Sequence, residues 1–230
     1  LFFVLLIWYP RVFTFFIKLS LLYNEIEMKY WYWLVQTLLW PLVWILIRFF
    51  YRVEVHGREH LSNLKAPVII ASNHKTVFDV FLIGTSLPFA SRFFPFRFMT
   101  EEERFHHPML EFLRKIKFLK LVYLLAGGFP SKRGQGIEEG IKIPTGLLGE
   151  GESVIMFPEW RLIRDELLGV FYNGTAVLAV KSGASLLPLF MRFSGRRFFL
   201  SFGAPFKLSA RTPEEGTAVL REKIQNLISA

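Results

Sequence analysis

The stretch VIIASNHKTVFDVFLIG, residues 68–84, decides the fold. Its first part, within Pro67–Ala71, is an unbroken apolar run of the kind found in strands buried on both faces. Ser72, Asn73, His74, Lys75 and Thr76 break that run with turn-forming and polar side chains. A second apolar stretch, 79–87, reads as a helix. Strand, turn and helix make half of an α/β unit. The turn also holds chemistry, because Asp79 follows His74 by five positions. On one continuous helix five residues rotate by about 500°, which leaves the pair about 140° apart. The two side chains meet only if His74 sits in the turn and Asp79 in the helix after it. Asp79 then accepts the Nδ1 proton of His74, fixes the tautomer and leaves Nε2 free as a base. The plain alternative is a surface histidine beside a helix-capping acid.

Outward from this stretch the pattern repeats. Residues 53–57 alternate like a short strand ended by Gly57, and 119–125, 153–157, 186–193 and 197–203 read as further strands. Residues 135–149 and 174–183 read as helices, the second closed by Gly183. Glu101–Glu103 and Pro108–Lys117 read as helix starts, and the tail from Pro213 as an amphipathic helix. Residues 88–100 favour no element, and 126–134 read as a loop. Pro188, inside an apolar strand, argues for a sheet edge or an abrupt end. The expected fold is α/β, a mixed sheet flanked by helices, with an N-terminal membrane-associating two-helix hairpin. The expected division is a hairpin over 1–52 and an α/β catalytic domain over 53–230.

The hairpin rests on residues 1–22 and 30–51, two apolar stretches joined by the polar hinge NEIEMK, 24–29. The second is long enough for a bilayer, which needs about 20 residues. Tyr30, Trp31, Tyr32 and Trp33 crowd one end like an interfacial belt. Gln36, Pro41 and Arg48 interrupt it, so dipping and spanning both stay open, as does a buried soluble hairpin. Neither a basic start nor a small-residue cleavage site marks a signal peptide.

Composition narrows the partners. The chain is 52% hydrophobic with 26 Phe and carries a formal charge of +9. Such a charge draws polyanions. The apolar content makes a lipid surface the better partner, and no nucleic-acid-binding pattern stands out. Lys115, Lys117, Lys120, Arg196 and Arg197 are candidates for contact with anionic lipid, or are simply solvated. With no cysteine, disulfides, thiolate metal sites and a cysteine nucleophile are excluded. His106 and His107 are adjacent, not spaced as a zinc helix requires, so no metal site is expected.

Three further segments carry polar groups beside strands. Gly128, Pro130 and Arg133 lie in GGFPSKRG, where a guanidinium suits a phosphate. Phe157, Pro158, Glu159 and Arg161 follow a buried strand. Leu187-Pro188-Leu189 lies in another. In this order, the segments resemble the membrane glycerolipid acyltransferases, the family of 1-acylglycerol-3-phosphate acyltransferases. Asn73, His74 and Asp79 match its first block, and Gly128, Pro130 and Arg133 its second. Phe157, Pro158 and Glu159 match part of its third, and Leu187–Leu189 its fourth. FYNGTAVLAVKSGASLLPL resembles the segment leading into that fourth block. The likeness runs from about Gly57 to Gly203. The third block departs: Trp160 replaces a glycine, Arg161 a threonine, and Leu162 the usual arginine, so Arg161 or Arg164 takes that place.

The resemblance implies an enzyme that moves a fatty acyl group from acyl-CoA or acyl carrier protein to a lysophosphatidic acid-type hydroxyl. His74 is then the general base and Asp79 its orienter. Arg133, Arg161 and Arg164 hold the acceptor phosphate, and Glu159 orders this basic loop or contacts the acceptor. Asn73, Gly128, Pro130 and Pro158 support the loops. Backbone N–H groups near 72–76 or 127–134 are the candidates for an oxyanion site. The thioester is a co-substrate and no cofactor is implied. A membrane location, on the cytoplasmic face, follows. Alternatives are a different lipid acceptor (a glycolipid, another lysophospholipid or an amino-lipid), which Trp160 suggests, and a non-catalytic lipid-binding membrane protein.

Overall fold

A computed structural model describes residues 25–62, 64–89, 93–100, 111–112, 115, 117–132, 134–159, 161–163 and 167–228. Among these the elements run α1 (Glu25–Phe50), β1 (Arg52–His56), α2 (Glu59–Ser62), β2 (Val68–Ser72), α3 (Asp79–Ser86), β3 (Phe96–Thr100) and α4 (Phe118–Leu125). They continue β4 (Gly128–Pro130), α5 (Ile137–Gly149), β5 (Ser153–Met156), α6 (Gly174–Ser182), β6 (Ser185–Ser194), β7 (Arg197–Phe202) and α7 (Pro213–Gln225). The strands form one sheet in the order β1-β7-β6-β2-β5-β3-β4. Strands β2 to β6 are mutually parallel; β7 is antiparallel to β6, and β1 is parallel to β7. This is a mixed α/β sheet with helices on both faces, as expected.

The apolar runs fix the layers. Every residue of β2 and β5 is buried, so both faces of the sheet centre need covering. One face packs Val68, Ile70, Ile155, Leu187 and Leu189 under α3, with Trp40 and Ile47 of α1 against them. The other packs Ile69, Val154 and Leu186 under α5, α6 and α7. Gly183 closes α6 at φ 64, a left-handed conformation that costs glycine little. Thr212 caps α7 by accepting the Glu215 N–H, with Pro213 in the first turn. After β2 the chain passes beyond β5 to reach β3; after β5 it returns past β2 to reach β6. The carboxyl ends of β2 and β5 therefore flank a switch point, where open α/β sheets bind ligands.

Several local expectations need correction. Residues 118–125 are helical, not a strand; the run is Leu-rich, and short apolar runs suit either element until packing decides. The 126–134 loop contains β4, which pairs with β3 at the sheet edge. Helix α1 begins at Glu25, so most of the polar hinge is helical, and 88–100 yields β3. Pro188 lies on an interior strand, opposite Ala71 of β2. The segment after β7 still runs beside it: Gly203 donates to the Pro188 carbonyl at 2.8 Å, and Leu186 and Phe206 exchange backbone bonds. The proline sits in an interior strand where the pairing with the next segment is irregular, not at an edge. The first apolar stretch, 1–22, and most of the helix starts at 101–117 lie outside the described residues.

Helix α1 has two unlike faces. Within Tyr30–Phe50 the most apolar 18-residue window has a mean hydropathy of 1.6, and only 6% of it is buried. By length and composition it is able to cross a membrane. Leu34, Leu38, Leu42, Ile45 and Phe49 are exposed. The opposite face docks on the sheet through polar contacts. Gln36 donates to the carbonyls of Phe96 and Ala126, both at 2.8 Å, and accepts from the Phe96 N–H at 3.1 Å. Trp40 donates to the Gly84 carbonyl, and Arg97, paired with Glu152 at 3.0 Å, stacks on Tyr32. Gln36, read from sequence as an interruption, is the tie between the apolar helix and the sheet. Replacing it by Leu strands buried backbone groups, each at a cost of about 1–3 kcal/mol. Gln36→Leu is therefore expected to lower the urea midpoint of the detergent-solubilised protein; an unchanged midpoint contradicts the tie.

Candidate active site

The turn between β2 and α3 folds around one carboxylate. Asp79, the first residue of α3, is 1% exposed. A buried charge is tolerable only when fully paired. Asp79 accepts from His74 Nδ1 at 2.9 Å, Lys75 N–H at 2.6 Å, Thr76 N–H at 3.0 Å and Thr76 hydroxyl at 2.7 Å. The Thr76 hydroxyl oxygen accepts the Phe78 N–H in return. Thr76 and Asp79 thus close a side-chain-bonded turn ahead of α3, whose N-cap position, Phe78, carries no side-chain cap. Asp79 closes the turn ahead of α3 and fixes the histidine; it accepts no N–H of the helix itself, so the helix-capping alternative is not seen.

Three clamps hold His74 from other strands. Its ring stacks on Phe157, just past β5, with centroids 4.1 Å apart and planes 16° apart. Its backbone N–H donates to Glu159 Oε2 at 2.7 Å, and the Gly169 N–H donates to the other oxygen at 2.5 Å. Its carbonyl accepts from Ile163 at 2.8 Å. Asn73, fully buried beside it, donates to the Met191 carbonyl at 2.8 Å and accepts the Met191 N–H at 2.7 Å. The side-chain amide thereby takes the place of a peptide and ties the end of β2 to β6.

His74 faces an open groove of about 2600 Å³. Its walls include Ile47 and Phe50 of α1, Phe81 of α3, Thr100 of β3 and Phe198 of β7, with Lys75, Lys132 and Arg161 as polar groups. Burial raises the Glu159 carboxyl above its ordinary 4.5, opposed by the N–H groups of Gly169 and His74 and the charges of Lys75 and His74.

Of the residues singled out from sequence, His74, Asp79, Asn73, Pro158 and Glu159 come together, and His74, Pro158 and Arg161 line the groove. Glu159 does not reach it: the side chain is 1% exposed, with both oxygens taken by backbone N–H groups. Its geometry is that of a loop-ordering residue, not an acceptor contact. Gly128 lies in edge strand β4, where a Cβ would meet Thr100 at 2.7 Å and the Tyr123 carbonyl at 2.8 Å. Pro130 ends the same strand. Arg133, Trp160 and Arg164 lie outside the described residues. The N–H groups of His74, Lys75 and Thr76 are committed to Glu159 and Asp79, which removes them as oxyanion donors. Sequence reasoning missed Thr76 and Gly169. Thr76 lies in the polar turn three places before Asp79, a spacing at which its N–H and hydroxyl can reach a carboxylate. Gly169 carries no local signal; it is needed because a Cβ there would meet Ile163 at 2.7 Å.

A family model described as acyltransferase matches residues 52–192. The chain belongs to the acyltransferase family. The match includes the turn, the groove strands and Asn73, His74, Asp79 and Glu159. Curated relatives include a chloroplastic 1-acyl-sn-glycerol-3-phosphate acyltransferase of Arabidopsis thaliana, 26% identical over 152 residues, covering 64% of this chain and 38% of the relative. One from Brassica napus is 24% identical, covering 64% of this chain and 39% of the relative. One from Chlamydomonas reinhardtii is 26% identical over 146 residues, covering 64% of this chain and 40% of the relative. This acyltransferase-family chain therefore spans well under half the length of those relatives. Its fold resembles the crystal structure of the 1-acyl-sn-glycerophosphate (LPA) acyltransferase PlsC from Thermotoga maritima, with a TM-score of 0.62 at 18% identity, covering 99% of this chain and 93% of that one.

Glu159 gives the site a testable pH signature. A raised carboxyl pKa means the folded state binds the proton more tightly than the unfolded chain. Its contribution to stability is full below 4.5 and declines as pH rises through the raised value. Glu159→Gln abolishes that slope and leaves one backbone N–H facing an amide nitrogen, a loss of about 1–3 kcal/mol. In urea unfolding, the advantage of the parent over the variant is expected to shrink from acid to neutral pH. A gap that widens contradicts the assignment.

Proposed function

We propose that the chain is a membrane O-acyltransferase that moves a fatty acyl group from acyl-CoA or acyl carrier protein to the hydroxyl of a lysophosphatidic acid-type acceptor. The observation that carries this is the 2.9 Å contact between His74 Nδ1 and a buried Asp79, with the imidazole on the wall of a groove bounded by the apolar helix α1. The acyltransferase family match supports the reaction class, and the names of the curated relatives support the acceptor class.

His74 is the general base in this reading. Asp79 holds the Nδ1 proton, so Nε2 takes the proton of the acceptor hydroxyl as its oxygen attacks the thioester carbonyl. The tetrahedral intermediate collapses, the C–S bond breaks, and the thiolate leaves with the proton from His74. Asp79 stabilises the imidazolium between the two transfers. Arg161 on the groove wall, with Arg133 and Arg164, binds the acceptor phosphate. Glu159 acts through the His74 backbone as a positioning residue. General-base catalysis contributes about 10²–10⁴-fold, so positioning in the groove supplies much of the rest.

The division into 1–52 and 53–230 gives each part a task. The first holds the molecule in the bilayer, on the cytoplasmic face, and the second carries out the transfer. Both substrates are amphiphiles, and the exposed face of α1 brings the groove to where they reside. Trp160 in place of a glycine favours a second acceptor with a larger headgroup.

Two variants test the proposal. With long-chain acyl-CoA and lysophosphatidic acid, thiol release by His74→Ala is expected to fall about 10²–10⁴-fold. Asp79→Asn is expected to fall within the same range, and both variants should still bind membranes. Release equal to the parent's in His74→Ala refutes the mechanism. Equal turnover of acceptors without phosphate refutes the acceptor assignment alone.

A further inference from the structure

Beside the candidate site the sheet carries a basic cluster to which the proposed reaction assigns no role. Strand β2 pairs with β6 only as far as Ser72 and Leu189, whereas β6 and β7 remain paired to Ser194 and Arg197. Past the Asn73 clamp on Met191, these two strands project as a hairpin arm turned at Gly195. The arm leaves the sheet at the same end as His74, and residues 192–197 are all exposed and line the groove. It is fastened to the end of α1. Arg52 begins β1 directly opposite Arg197, and its N–H donates to the Arg196 carbonyl at 2.8 Å. Tyr51 packs on Phe198 and Phe193, with centroids 5.0 and 6.1 Å away.

The charges on this arm are uncompensated. Like charges directly opposite on neighbouring strands are destabilising, yet Arg52 faces Arg197. Arg192 lies over the Phe199 ring at 4.7 Å, and Arg196 adds a fourth guanidinium. No ion pair reaches any of the four among the described residues. Glu54, two places along β1, lies opposite Phe199 and makes none of them. Beside the arginines, Phe49, Phe50 and Phe193 are exposed.

We propose that the β6–β7 arm, with Arg52, is a docking surface for the headgroups of anionic phospholipids. The inference rests on the membrane location proposed above and not on the transfer chemistry. Arginines at a bilayer surface bind phosphate oxygens, and aromatic side chains settle at the boundary of the acyl region. The arm offers both, continuous with the exposed apolar face of α1. The phosphates of a soluble thioester would meet the arginines but leave the aromatics in water. Docked in this way, the arm sets one wall of the groove level with the headgroups, so that a lipid acceptor enters sideways.

The test uses the full chain reconstituted in phosphatidylcholine vesicles that hold trace dansyl-phosphatidylglycerol or dansyl-phosphatidylcholine. Energy transfer from tryptophan to dansyl reads which headgroup gathers at the protein. The parent is expected to favour phosphatidylglycerol, by about fivefold for each arginine engaged, and to lose the preference at high salt. Arg196→Gln with Arg197→Gln should reduce the preference, and the paired lysine substitutions should keep it. The headgroup preference is read without turnover in parent and variant alike, which separates this inference from failure of the acyltransferase reading. A parent without preference overturns the proposal. So does a glutamine variant that keeps the preference, or one that keeps it while requiring more acyl-CoA for half-maximal rate, which assigns the cluster to the donor.

Discussion

A fully buried carboxylate must collect donors or lose its charge, and the catalytic end of this protein is arranged around that requirement. Asp79 is closed off from solvent, so its charge is met by hydrogen bonds from the turn. Its partners are two backbone N–H groups, one hydroxyl and one imidazole nitrogen, all from three consecutive residues. The turn can supply them only by wrapping tightly over the start of α3. That wrapping sets the histidine's place and the nitrogen it presents inward. The favourable position of an acid in a first helical turn adds to the same arrangement.

The remaining constraints come from strands distant in sequence. Glu159 and Phe157 arrive on the end of β5, Met191 on β6, and Gly169 on the segment before α6. Each holds backbone or ring, so the histidine is fixed by groups that need not touch substrate. Burial pushes Glu159 toward its neutral form while two N–H groups favour its charge. The structure tolerates that tension because the residue joins two loops that no strand connects. Helix α1 joins through Gln36 and Trp40, so the groove wall and the apolar face belong to one rigid arrangement.

Much of this was legible before any coordinates. The buried runs at 68–71 and 153–156 gave the sheet centre, and the His74–Asp79 spacing gave a contact that only a turn-then-helix geometry permits. The family resemblance agrees with the family model that matches. What stayed hidden depended on tertiary partners. Residues 118–125 have an apolar pattern compatible with strand or helix. Pro188 looked like an edge because a sequence does not show which segments lie beside a strand. Gln36 looked like a flaw in a membrane segment because its three bonds lie 60 and 90 positions away. Glu159 had two readings from sequence, ordering the loop or contacting the acceptor, and its burial between two backbone N–H groups favours the first.

The central claim is that Asp79 holds the proton on Nδ1 of His74 and leaves Nε2 as a base. Nitrogen-15 NMR of the protein labelled at histidine reads this directly, with the His74 signals assigned by their loss in His74→Gln. The account predicts a proton on Nδ1 and none on Nε2 in the neutral imidazole. A proton on Nε2 with Nδ1 bare, in the intact folded protein, contradicts it.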